Sequence, residues 1–203
     1  MGSAAPDVPV RDAATLILVR DPANAPAVLM GTRGADAVFL PSRRVFPGGA
    51  TDAGDAALPL PPFAATAIRE LWEETGLILG RPGAFAPPPG WTAFAATGHR
   101  PDADGLLPVF RAITPPGRPR RYDARFFLAD AARIAGGPDA PLRGDGELSD
   151  LAWVPLDAAA AQPLPFVTTV ALAEARARLP DLATGRRRAV PVMDGTARTV
   201  RRP

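Results

Sequence analysis

Short aliphatic runs alternate along the chain with polar breaks rich in glycine and proline, and the runs carry two different periods. Residues 14–20 and 27–32 are aliphatic and β-branched, separated by Asp21-Pro22-Ala23-Asn24-Ala25-Pro26. They predict a hairpin with a long loop. Residues 44–46 add a brief extended piece that Pro47-Gly48-Gly49 stops, since proline suits turns and glycine frees the backbone. The period then becomes helical: Phe63, Ala67, Ile68 and Leu71 form an apolar stripe that predicts a helix over 63–75, with Gly76 as its stop. Residues 81–105, rich in Pro, Gly and Ala, predict a loop rather than a buried element. Strands are expected at 106–114, 122–129 and 151–154, and a second helix at 166–179. In 190–200, Asp194-Gly195 signals a hairpin, and Pro191 confines its first strand to an edge. Strands alternating with two substantial helices predict a mixed α/β fold, with one mixed sheet sandwiched between helices.

Composition narrows the class. The 203 residues suit one domain, divided as an N-terminal extension (1–12), a domain (13–180) and an arginine-rich tail (181–203). No apolar run approaches the roughly 20 residues that span a bilayer, and residues 1–12 show no signal or lipidation pattern. A soluble, intracellular protein without membrane contact is expected. The absence of cysteine excludes disulfides and thiolate chemistry. Every one of the 23 basic residues is arginine and the net charge is only +2, so the basic isoelectric point overstates the charge. Arg186, Arg187, Arg188, Arg198, Arg201 and Arg202 crowd the tail. This pattern reads as a solvated or packing tail rather than as a nucleic-acid arm, and its hairpin leaves room for a homodimer contact.

The chemistry concentrates in Arg69-Glu70-Leu71-Trp72-Glu73-Glu74-Thr75-Gly76-Leu77. On a helix, Glu70, Glu73 and Glu74 are related as i, i+3 and i+4, so three carboxylates share one face. Their mutual repulsion makes a poor surface helix and a good seat for hard divalent cations, Mg2+ or Mn2+. Arg69 is placed to orient a member of the cluster through a charge-assisted hydrogen bond.

These residues resemble the Nudix signature G-x5-E-x7-R-E-U-x-E-E-x-G-U, where U is bulky and aliphatic, at every position of its second half. The first half departs from it. Gly49 is followed after five residues by Asp55 instead of Glu, and the spacer to Arg69 has 13 residues rather than seven. The resemblance implies metal-assisted attack of water on a small-molecule nucleoside diphosphate derivative. It makes Glu73 and Glu74 metal ligands, the Gly49 carbonyl a backbone ligand, and Glu70 a ligand or the base that orients water. Glu147, just before a strand, would complete the metal site or act as base. The 81–105 loop would border the substrate, and His99 within it reads as solvated rather than catalytic.

The runs 39–55, which contains Val45-Phe46-Pro47-Gly48-Gly49, and 118–127, which contains Arg121-Tyr122-Asp123-Ala124-Arg125-Phe126-Phe127, are also similar to the Nudix branch that includes the animal peroxisomal coenzyme A diphosphatase. That similarity implies cleavage of coenzyme A or its thioesters into 3′,5′-ADP and (acyl-)4′-phosphopantetheine. Arg33, Arg121 and Arg125 would then grip phosphates. ADP-ribose, a dinucleotide or a nucleotide sugar would present the same diphosphate, and a non-catalytic ligand-binding module is the reading from another class. The chain ends Arg-Arg-Pro without a Ser-Lys-Leu peroxisome signal, which places it in a cytoplasm.

Overall fold

The computed structural model describes residues 8–144, 146–195 and 199–201. Most of the N-terminal extension, with Asp145, Arg198 and Arg202, lies outside them. The central strand β1 (Val10–Arg20) sends Leu16 and Leu18 into one apolar cluster and Ile17 and Val19 into another. A continuous aliphatic run is what a strand covered on both faces requires.

β2 (Ala27–Arg33) pairs antiparallel with β1 only at Val19–Val28 and Arg20–Ala27. The strands then diverge, and the chain returns to fill the wedge. β3 (Arg44–Val45) pairs with β2, and β4 (Gly48–Ala50) pairs with β1. The short helix α1 (Ala53–Ala56) and then α2 (Pro62–Thr75) follow. Pro62 occupies the first helical position, where its missing N–H has no intrahelical partner to lose. Gly76, at φ 73°, ends the helix with its N–H on the Trp72 carbonyl at 2.8 Å.

The loop expected over 81–105 is corrected by the structure. β5 (Gly80–Pro82) and β6 (His99–Pro101) pair antiparallel around α3 (Thr92–Ala95). Trp91 and Phe94 are fully buried in the cluster beneath α2. Three aromatics, Phe85, Trp91 and Phe94, are too widely spaced to create a period. Each nevertheless buries enough area to anchor a segment that composition alone marks as a loop.

β7 (Leu107–Ile113) and β8 (Arg121–Asp130) form an antiparallel hairpin, and β8 lies parallel to β1 from Val10–Arg121 to Val19–Asp130. β9 (Leu148–Pro155) takes the other edge of β2. α4 (Leu156–Ala160), α5 (Phe166–Ala177) and α6 (Leu179–Thr184) pack residues into the second cluster. The result is a mixed sheet between α2 on one face and α4 and α5 on the other. At its far edge, β10 (Val192–Asp194) runs parallel to β7, and β11 (Thr199–Arg201) pairs antiparallel with β10.

The segment leading to that edge is tied down by charge. Buried Arg178 pairs with Glu174 and donates to the Ala189 carbonyl at 3.2 Å. Arg188 reaches buried Asp181 at 2.6 Å. Arg186 and Arg187 are exposed. Among the described residues no helix is long and apolar enough to cross a membrane.

Candidate active site

The wedge between β1 and β2 delivers Gly48 and Gly49 to the acidic side of α2. The Gly48 N–H donates to Glu74 Oε2 at 2.8 Å. At Gly49 any side chain would overlap the Glu70 carboxylate, so only glycine lets the strand and that acid approach so closely. Glu70 and Glu74 are buried and Glu73 is half-buried. Ile68 and Leu71 hold the opposite side of the helix in the core.

Arg69 organises this face. Its Nη1 lies 2.8 Å from Glu73 Oε2 and 2.9 Å from Glu70 Oε1, and its Nη2 donates to the Ala50 carbonyl at 2.8 Å. The rest of the guanidinium meets Asp55 fork to fork, Nε to Oδ1 at 3.0 Å and Nη2 to Oδ2 at 3.1 Å. Asp55 therefore stands behind Arg69 instead of joining the glutamates. It also accepts from Thr66 Oγ1 at 2.8 Å, Trp91 Nε1 at 3.0 Å and the Asp52 N–H at 3.0 Å. Burial alone would raise its carboxyl, yet these donors, Arg69 foremost, hold it below the usual carboxylate range.

The glutamates have the opposite balance. Burial pushes Glu74 up to about 9, against the Gly48 N–H and aided by Glu70 and Glu147. Burial likewise pushes Glu70 up to about 7, with Arg69 opposing and Glu73 and Glu147 adding repulsion. Without a cation, burial and mutual repulsion thus drive both carboxyls toward the protonated form. Glu74 Oε1 is buried with no hydrogen-bond partner, an expensive arrangement for a carboxylate oxygen unless a cation meets it.

The donor set of carboxylates and a backbone carbonyl suits a hard divalent ion. Among the described residues, no three acidic or histidine side chains yet converge on a single cation position. Arg69 engages two of the glutamates through one oxygen of each, Oε1 of Glu70 and Oε2 of Glu73.

The other expected residues divide into two groups. Glu147 lies close enough to raise both Glu70 and Glu74, and Arg33, at the end of β2, close enough to oppose the shift of Glu74. The loop before β9 is brought there by the Arg143 N–H, which donates to the Thr75 carbonyl at the end of α2 at 2.7 Å. Arg121 and Arg125 point to protein partners. Arg121 donates to the carbonyls of Val8 and Thr114 at 3.2 and 3.3 Å. Arg125 lies 4.1 Å from the Phe63 ring centre and pairs with Asp123 and Asp12. His99 is half-buried on β6, its Nδ1 3.0 Å from the Thr97 carbonyl.

The sequence matches the NUDIX domain family over residues 10–173. The chain belongs to that family. A Caenorhabditis elegans protein named "Putative nudix hydrolase 7" is 35% identical over 131 residues, 58% of this chain and 43% of that protein. The chain thus spans less than half of that relative's length. The crystal structure of a NUDIX hydrolase from Alicyclobacillus acidocaldarius superposes with a TM-score of 0.70 at 28% identity, over 87% of this chain and 96% of that one. The NUDIX domain of Shewanella oneidensis NrtR, solved with ADP-ribose, shares the fold at a TM-score of 0.55 and 17% identity, over 84% of this chain and 89% of that one.

Within this Nudix domain, the sequence left three contributors to the site unmarked: Trp91, Thr66 and the Gly48 N–H. Trp91 carries the one available signal, a lone tryptophan closing a Pro-Pro-Pro-Gly run. Nothing in the spacing connects it to a carboxylate 36 positions earlier.

Proposed function

We propose that this Nudix domain is a metal-dependent hydrolase that cleaves the diphosphate of a nucleoside diphosphate derivative. The observation that carries the reading is Glu74, buried beside Glu70 with one carboxylate oxygen unpartnered. Glu73, Glu74 and the Gly49 carbonyl would hold Mg2+ or Mn2+, with Glu70 as a further ligand or as the base. Bound there, the ions supply neutralisation of the diphosphate oxygens, acidification of a bound water and stabilisation of the leaving phosphate.

The chain's own groups do the rest. Arg69 keeps Glu70 and Glu73 in register, and Gly49 leaves room for the Glu70 carboxylate. Glu147 extends the acidic rim and is the second candidate for the proton acceptor. Arg33 offers its guanidinium to a substrate phosphate. Arg121 and Arg125 would have to release carbonyl or carboxylate partners to do the same.

Coenzyme A and its thioesters are the substrates to test first, supported by the resemblance of residues 45–55 and 118–127 to the coenzyme A diphosphatase branch. ADP-ribose, dinucleotides and nucleotide sugars complete the panel. The experiment incubates the protein and Glu73→Gln with each compound and Mg2+ or Mn2+, reading products by mass. Two phosphate-bearing products with the wild type and none with the variant are expected. Equal turnover by both proteins, or none by either, would sink the proposal, the latter leaving a ligand-binding module.

A further inference from the structure

We propose that the segment 80–101 positions the metal-binding helix, and that Trp91 sets the aim of Arg69 by holding Asp55. The inference rests on the metal-dependent reading above and assigns this chain's own residues a part in it. Asp55 is one methylene shorter than the glutamate of the signature, yet both of its oxygens are fully engaged. Oδ1 is shared by Arg69 Nε and Trp91 Nε1, each at 3.0 Å. An indole N–H only donates, and its rigid ring gives the bond a fixed direction.

That ring is itself held. Trp91 is 0% exposed, with Phe94 and Phe85 packed edge-on at centroid distances of 5.2 and 6.5 Å. Phe94 also meets the ring of Trp72, next to Glu73 on α2, at 5.8 Å. A second contact joins the backbones. At Gly54, in the turn that carries Asp55, any side chain would overlap the Pro89 carbonyl oxygen. The segment thus grips α2 through Phe94 and the Asp55 turn through Gly54 and Trp91.

The consequence falls on the glutamates. With Nε and Nη2 fixed by Asp55 and Ala50, Arg69 directs Nη1 at Glu70 and Glu73. Loss of the indole donor frees Asp55 Oδ1 to shift, and the guanidinium fork moves with it. Trp91 touches no reacting atom, so it acts as a positioning residue.

Trp91→Phe keeps an aromatic ring and removes the donor. The expected result is a fall of about tenfold or more in kcat, a comparable weakening of Mn2+ binding read by electron paramagnetic resonance, and a KM within about twofold. In an Arg69→Lys background, where no fork meets Asp55, the same change should have little further effect. Wild-type kcat and Mn2+ affinity in Trp91→Phe, or full additivity with Arg69→Lys, overturns the proposal. If Trp91→Phe does not fold, Mg2+ titration of the wild type decides. The Trp91 indole N–H resonance, distinguished with Trp72→Phe and Trp153→Phe, should move along the metal-saturation curve, and a stationary resonance overturns the proposal. A wild type that neither binds Mn2+ nor cleaves a diphosphate fails the functional reading and takes this inference with it. An active wild type with an unaffected variant fails this inference alone.

Discussion

Asp55 and Arg69 meet in the interior through two parallel hydrogen bonds, at 3.0 and 3.1 Å, although 14 positions separate them. Asp55 is 0% exposed, so removing its charge leaves the guanidinium short of a buried partner. Asp55→Asn should cost about 3–5 kcal/mol and lower Tm by roughly 6–20 °C, measured by calorimetry. A melting point within about 2 °C of the wild type refutes that role.

The pair also sets the behaviour in acid. The Asp55 carboxyl sits lower in the folded protein than its ordinary 3.8. Its contribution is complete above that value and is lost as pH falls through the lower folded value. Urea midpoints between pH 6 and pH 3 should therefore fall more steeply for the wild type than for Asp55→Asn. Parallel curves would assign the acid sensitivity elsewhere.

Glu74 carries the opposite sign. Burial first, then Glu70 and Glu147, push its carboxyl from 4.5 up to about 9. Stability is whole below the unfolded value and declines as pH rises toward the folded one. Metal-free Glu74→Gln should then be more stable than the wild type at pH 7, by on the order of 2–3 kcal/mol, with the gap closing near pH 4. Added Mn2+ should reverse the order, because only the wild type gains from binding. Thermal melts with and without EDTA test both statements, and a destabilised metal-free variant contradicts them.

Arg33 is the phosphate-gripping candidate close to Glu74. Arg33→Ala should raise KM for a diphosphate substrate by about tenfold or more, with a smaller effect on kcat, since it removes a charge-assisted contact and no metal ligand. Arg125→Ala, whose side chain is engaged by Asp123 and Asp12, should leave KM close to wild type. Steady-state kinetics with one substrate separate the two, and identical KM values would remove Arg33 from the site.

The tail is expected to matter for stability. Deleting residues 186–203 removes the β10 partner of β7 and leaves buried Asp181 without Arg188. An exposed strand edge invites association. The truncated protein should melt earlier and form larger species in light scattering. An unchanged melt would make the tail dispensable to the fold.

Much of the frame was legible along the chain because its causes are local or periodic. The α2 stripe predicts 63–75 and the helix spans 62–75, ended by Gly76 at positive φ. The pairing of β1 with β2 was also readable, but its brevity was not. A two-pair contact that opens into a wedge depends on β3 and β4 returning between the strands, which no alternation of side chains records.

The three carboxylates with which the site began are a property of sequence alone: spacing of i, i+3 and i+4 puts them on one face of any helix that forms there. The burial of Glu70 and Glu74, the upward titration of those two and the guanidinium between Glu70 and Glu73 were decided by tertiary structure. So was the meaning of the altered first half of the motif. Asp55 and the long spacer look like damage when read linearly, yet in the fold Asp55 holds Arg69 and is itself held by Trp91. Helical geometry repeats every few residues and can be read from spacing, whereas a hydrogen bond across 36 positions exists only once the core has brought both ends together.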